Sequence, residues 1–206
     1  AATPYSPVMT PFSDDQWLYE EATVTGLHRP GAELAAVELY GCTIRGAKLG
    51  EATLRRWVFE ACTFADCDLS NAVFAECTFQ GCKFEGCRLI GVDWRAASPL
   101  TFDVAFHGCT MTYGVFTGMS LADLECVECD CAEVDFTEAD LQRSRFDGTT
   151  LSGAIFSQTR LQGADLSRAI GDLVDPLENR VAGAKFSTAA AIRLAARFGI
   201  SVPPGA

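Results

Sequence analysis

A chain of 206 residues with 49 % apolar content can bury a core of its own, which excludes a disordered chain. Its net charge of −11 argues against direct contact with nucleic acid or an anionic membrane, both of which need basic patches. No apolar run reaches the roughly 18 residues of a membrane-spanning helix, and the first residues lack a charged-then-apolar leader.

Residues 1–22 carry Pro4, Pro7 and Pro11 and no repeat, and are expected to form a tail. From Leu34 a large apolar residue then recurs every fifth position: Leu39, Ile44, Leu49, Leu54, Phe59, Phe64 and on to Trp94. The phase slips by two residues and resumes at Phe106, running through Phe116, Phe136 and Phe156 to Leu166. These are the central positions. Two residues before each stands a small one, such as Ala47, Cys62, Cys82 or Ala164. A helix repeats at 3.6 residues and a flat strand at 2, so neither accounts for a period of five. One short extended side plus one turn, repeated, does. Four such sides close a square coil of twenty residues. Every twentieth position then stacks like on like: Phe59 with Phe79, Phe64 with Phe84, Phe116 with Phe136 and Phe156. The predicted body is an all-β parallel β-helix over 23–170, of about seven coils spaced about 4.8 Å apart.

Three places break the pattern. Residues 96–103 hold the phase slip and Pro99, which cannot donate to a ladder, so a loop or kink at Ser98, Pro99 and Leu100 is expected. Leu124 and Cys126 exchange the usual sizes. Trp57 occupies a small slot, where it should distort its coil or cap an open end. After the repeats, Asp175-Pro176 reads as a turn. Ser187 or Thr188 is a suitable N-cap for a helix over about 188–198, and Gly199 a stop. Ala191, Leu194, Ala195 and Phe198 share one face, which must cover something. A cap within one chain or a dimer interface would serve.

All ten cysteines fall on inward positions, eight on the small one and two (Cys126 and Cys131) on the central one. A free thiol is a small hydrophobe suited to that slot. Cys126 and Cys129 have CxxC spacing, but no second pair or histidine completes a zinc site, so no metal and no cofactor is expected. Stacked pairs such as Cys62 and Cys82 could come within disulfide reach, yet dense unpaired thiols suit a reducing, cytoplasmic compartment better. His28 and His107 are the only histidines and neither has an evident catalytic partner, so an enzyme is not expected.

From Ala96 to Gln142 there is no Lys or Arg, and eight carboxylates crowd into residues 123–140. Glu125, Asp130, Asp135 and Asp140 directly precede a central residue. Asp123, Glu128, Glu133 and Glu138 occupy a second outward position that reads as less constrained. Together they are the candidate partner-binding surface. Arg55, Arg56, Arg143 and Arg145 interrupt other parts of the rod.

The segments Cys67-Asp68-Leu69, Ala139-Asp140-Leu141 and Ala164-Asp165-Leu166 match the A(D/N)LXX motif, and the chain resembles the pentapeptide-repeat family over about 32–169. That resemblance implies a right-handed quadrilateral β-helix without a catalytic pocket. The consensus Asp or Asn is often Thr, Lys or Arg here, so the match rests on the apolar positions and the C-terminal tail. The run from Gly171 to Arg180, then Ala184-Lys185-Phe186, then the helix ending Phe198-Gly199-Ile200, resembles the end of the Qnr-type topoisomerase-protection proteins. The interruption at Pro99 is similar to one in that group's albicidin-resistance member. This likeness implies a homodimer through the segment 171–206, with Phe186, Ala191, Leu194, Ala195 and Phe198 at its interface. It also implies an acidic rod that mimics DNA, binds DNA gyrase and protects it from a poison such as albicidin, a quinolone or a peptide toxin. The alternative is a non-catalytic scaffold for protein–protein interaction.

Overall fold

The computed structural model describes residues 8–171 and 174–201. They form a four-sided parallel β-solenoid of about eight turns, closed at one end by the helix Thr188–Arg197 (α1). Each side pairs with the side twenty residues on. One ladder runs Leu18–Glu20, Glu38–Tyr40, Val58–Glu60, Thr78–Gln80, and a neighbouring one runs Ala22–Thr25, Thr43–Arg45, Thr63–Ala65, Lys83–Glu85. A third side shows as bridges from His28 through Lys48, Asp68, Arg88, Thr110, Asp130 and Thr150 to Ile170.

The tail expected over 1–22 is shorter than that. Val8–Pro11 pairs with Ala22–Thr25, Leu18–Glu20 pairs with Glu38–Tyr40, and Tyr19 is 1 % exposed. Tyr19 and Val24 keep the five-residue phase. Asp14 before them and Arg29 after them fall on the same phase and hide it from a purely apolar pattern. This segment adds the turn that takes the count from seven to eight. Residues 1–7 lie outside the described ones.

The chain turns most of its corners at the second residue after a central one, where the backbone is left-handed. Glycine fills many of these corners; Glu51, Arg56, Ala61, Asp66, Asn71 and Glu76 hold φ between 51° and 61° at others. An L-residue adopts this conformation at a cost, because its Cβ crowds the following carbonyl.

The interior is a set of ring columns. Phe59 stacks on Phe79 at 5.0 Å, Phe64 on Phe84 at 4.5 Å, and Phe116, Phe136 and Phe156 on one another at 5.4 and 5.3 Å. The two-residue slip leaves the columns intact. Trp94 stacks on Phe74 before it and Phe116 after it, and Asp93 caps a short 3-10 turn at Trp94–Ala96. The Ser98 amide still donates to Cys77 O at 2.8 Å, and the Phe79 amide reaches Thr101 O across the insertion. The surplus residues leave the wall as an outward loop while the rod runs on. Trp57 does not distort its coil either: the ladder on both sides of it is regular, and its buried indole stacks on Phe12 at 5.9 Å.

All ten cysteines are buried and free. Their slot offers more than room. The thiols of Cys62, Cys67, Cys77, Cys82 and Cys87 each donate to a central carbonyl 23 residues earlier, at 3.3–3.4 Å. Thr149 and Thr159 make the same bond to Cys126 O and Phe136 O, and Asn179 to Phe156 O. The slot therefore accepts a small donor as well as alanine, and Thr149, Thr159 and Asn179 supply that donor toward the C-terminus, where no cysteine fills it. Burial pushes the Cys82 thiol up to about 11 and the Cys77 thiol up to about 12. Reactivity follows the thiolate and its access. The native protein should thus release almost no chromophore from Ellman's reagent at pH 8, and the unfolded chain should titrate all ten thiols. Rapid reaction of several thiols before unfolding would contradict the closed interior.

The coil also extends beyond residue 170, where the apolar pattern fades. Arg180 bridges to Arg160, Lys185–Phe186 pairs with Asp165–Leu166, and Asn179 fills an inward slot. Leu177 N bonds the Asp175 carboxylate in the turn at Pro176. Ser187 caps α1 through Ala190 N, and Gly199, at φ 72°, ends it.

Candidate partner-binding surface

The eight carboxylates of residues 123–140 form a belt around one turn, and the next turn divides them. Arg143 grips Asp123 with two bonds of 2.7 and 2.6 Å, Arg145 reaches Glu125 at 3.3 Å, and Arg160 reaches Asp140 at 3.1 Å. Arg143 and Arg145 do not simply interrupt a different stretch of the rod. A step of twenty residues sets each above an acid, and Arg143 holds the Asp123 carboxyl below its ordinary range. Glu128, Asp130, Glu133, Asp135 and Glu138 make no ion pair among the described residues. They are consecutive along the chain, so they cover two adjoining sides and their corners. The neutralised three lie on the other two sides. The belt is acidic along one arc.

Two structural positions carry the arc. Asp130 and Asp135 accept the backbone N–H two residues on, from Ala132 at 3.1 Å and Thr137 at 2.8 Å. Asp68, Asp140 and Asp165 do the same at their own turns. An aspartate before a central residue is thus part of the turn's own hydrogen bonding. Asp165 shows it most clearly: the Ser167 hydroxyl and amide, then Lys185, hold its carboxyl down to about 2. For Asp135, burial opposes ionisation, but the bonds from Thr137 and Thr117 prevail and its pKa is lowered.

Asp123, Glu128, Glu133 and Glu138 are not on a freer position, as their outward placement suggested. They are left-handed corners, with φ of 64°, 53°, 57° and 59°. Glycine would suit the backbone better, so turn geometry does not account for acids at four corners in succession. Tyr113, one turn earlier, was not singled out by the sequence pattern. It is also a corner, at φ 61°, and is 64 % exposed. A ring in a corner where its neighbours are glycine or polar was the available signal.

The loop projects on the same rod. Ser98 is tied to the wall through its amide, Pro99 takes the turn that needs no N–H donor, and Leu100 is 93 % exposed. At the C-terminal end α1 buries none of its residues. Leu194, Ala195 and Phe186 are half-buried, Ala191 is exposed and Phe198 is 50 % exposed. The other flank of α1 presents Ala189, Ala190 and Arg193 to a cavity of about 300 Å³ against Leu151, Leu166 and Phe186. An ion pair at 3.0 Å from Arg197 to Asp175 ties the helix to the coil.

His107 lies 3.7 Å from Glu125 on the outer wall, with a side chain 43 % exposed. Among the described residues no cluster of His, Cys, Asp or Glu could hold a metal ion, and no helix is long and apolar enough to cross a membrane.

Comparison with known proteins agrees with the geometry. Two family models, both described as pentapeptide repeats, match residues 36–88 and 129–168. No curated protein matches by sequence. Among solved structures, the chain is similar to two trypsin-treated forms of QnrB1, a plasmid-mediated fluoroquinolone resistance protein. One superposes with a TM-score of 0.67 at 22 % identity, covering 96 % of this chain and 98 % of that one. The other gives 0.61 at 21 % identity, covering 96 % and 100 %. At such identity the likeness speaks for the fold. With the five-residue repeat and the four-sided coil in agreement, residues 36–88 and 129–168 are pentapeptide repeats and the chain has the β-helix fold of the pentapeptide-repeat proteins.

Proposed function

We propose that the protein binds DNA gyrase through its acidic arc and protects the enzyme from a poison such as a quinolone, albicidin or a peptide toxin. The observation that carries this reading is the arc itself: five consecutive carboxylates without an ion pair among the described residues, on a rod that superposes over 96 % of its length on a fluoroquinolone-resistance protein. Duplex DNA presents one charge per about 1.7 Å of axis, or about three per coil rise of about 4.8 Å. The arc exceeds that density, and the neutralised sides behind it do not. It is therefore a one-sided imitation of a phosphate backbone. Tyr113 beside it offers the kind of exposed ring that anchors interfaces, and Leu100 on the loop offers an apolar contact.

The test is gyrase supercoiling and cleavage-complex formation with the purified protein, with and without ciprofloxacin and albicidin. Restored supercoiling or fewer drug-induced breaks is the expected result, and the rescued drug identifies the subtype. Unchanged gyrase under every condition would leave the scaffold reading in its place. The pairing of Asp123, Glu125 and Asp140 to arginines favours that alternative for three of the eight carboxylates.

The same reading makes α1 a homodimer contact. Its Leu194 and Phe198 face leaves apolar surface that one copy does not cover. Leu194→Asp with Phe198→Asp should convert a dimer to a monomer in light scattering, without loss of the β-solenoid signal in circular dichroism. An unchanged mass would remove α1 from the interface.

A further inference from the structure

The four acidic corners of the belt differ in what stands one turn above them. Arg143 lies above Asp123, Gly148 above Glu128, Gly153 above Glu133 and Gln158 above Glu138. Arg143 neutralises the Asp123 carboxylate through its two bonds. The two glycines do something different: they leave room. A methyl on Gly153 would come within 2.5 Å of Glu133 Oε1 and 2.6 Å of its Cδ. One on Gly148 would come within 3.3 Å of Glu128 Cγ. Unbonded carbon atoms settle at about 3.5–4.0 Å, so each glutamate lies where a side chain one turn above would begin. The same packing recurs where Glu21 meets Gly41 and Asp66 meets Gly86, so a corner side chain runs along the rod toward the next corner.

Backbone conformation does not by itself demand glycine at these two places. Gly148 and Gly153 have φ of 66° and 70°, but Arg56, Ala61 and Glu76 hold left-handed corners elsewhere on the rod. Nor does crowding demand it at every glycine corner. Gly46 and Gly31 stand in the same two corner columns near the N-terminal end, and a methyl on either would meet nothing within 4 Å. What sets Gly148 and Gly153 apart is the acid that lies against each.

We propose that Gly148 and Gly153 are positioning residues for the acidic arc. By leaving their corners open they let Glu128 and Glu133 lie against the next turn, which holds the two carboxylates in place before a partner arrives. A long side chain ordered in advance has less freedom to lose on association. The proposal rests on the gyrase-binding reading and adds what orders two of its charges.

The test is supercoiling inhibition by the full chain carrying Gly148→Ala with Gly153→Ala, which keeps every charge. Each methyl displaces a glutamate, and the concentration for half-inhibition should rise about five-fold, as for two misplaced surface charges. Gly31→Ala with Gly46→Ala is the matched control. It strains two corners of the same kind away from the arc, and it should inhibit as the unsubstituted protein does. Circular dichroism should show both variants folded, since Ala61 already holds a corner at φ 51°. In a Glu128→Gln, Glu133→Gln background the alanines at 148 and 153 should cause no further loss, which a merely structural defect would not give. Full inhibition by the Gly148→Ala, Gly153→Ala variant would overturn the proposal. So would a loss that the control matches, or one that persists in the glutamine background. If the unsubstituted protein itself fails to inhibit gyrase, the reading beneath the proposal falls and takes the proposal with it.

Discussion

Phe136→Ala destabilises the protein by about 3–5 kcal/mol, the usual cost of emptying a buried aromatic site. Phe136 is fully buried and stands in mid-column, 5.4 Å from Phe116 and 5.3 Å from Phe156, with Phe146 edge-on at 6.1 Å. The walls of the coil are fixed by ladders above and below, so they cannot collapse onto the space left behind. Stacked aromatic pairs add to simple burial. Each turn of a solenoid is supported mainly by its neighbours, and an interior gap weakens two junctions at once. Urea denaturation followed by circular dichroism measures the effect. A loss below about 1 kcal/mol would mean that the column can repack, contrary to a rigid interior. Phe198→Ala is the control, because Phe198 is 50 % exposed and should cost little in the same experiment.

Replacing Glu128, Glu133 and Glu138 by glycine should stabilise the fold and weaken gyrase inhibition together. At left-handed corners a non-glycine residue costs about 1–2 kcal/mol, and glycine returns part of that through its freer unfolded chain. The net gain is about 0.5–1 kcal/mol at each corner, or roughly 2 kcal/mol for three. Three fewer charges at about 0.5 kcal/mol each should meanwhile weaken binding to gyrase about ten-fold. The matching glutamine variant separates the two effects, since it keeps the corner strain and removes only the charge. It should inhibit gyrase as weakly as the glycine variant without gaining stability. Inhibition by the unsubstituted protein should itself decline as salt rises, over a screening length of about 10 Å at 0.1 M. If both variants inhibit gyrase fully, the arc is ordinary solvated surface and the scaffold reading gains. Corner acids that cost stability and serve binding would be an instance of the trade between stability and function.

The belt shows what sequence could reach and what it could not. Eight carboxylates in eighteen residues stand out by counting. Their division into three neutralised acids and an acidic arc of five does not, because it depends on which arginine lies one turn away. Arg143 is remote from Asp123 in the chain but 2.6 Å from it in the rod. The corner conformation was equally hidden. Glu133 and Asp135 differ by two residues, but one is a strained corner and the other a hydrogen-bonded turn. The N-terminal turn was overlooked for a simpler reason: Asp14 and Arg29 occupy positions where the pattern demanded apolar residues.

By itself, the sequence determined the repeat, the inward set, the coil of twenty residues and the helix with a cap at Ser187 or Thr188 and its Gly199 stop. Those are local matters, because a side and a turn of five residues obey the same steric and burial rules wherever they occur. The tertiary structure alone decided the arginine pairings, the second role of the small slot as a donor, the passage of the columns past the loop at Pro99, and the room that Gly148 and Gly153 leave for Glu128 and Glu133. Each of these depends on distances between residues twenty or more apart, and those distances exist only once neighbouring turns have stacked.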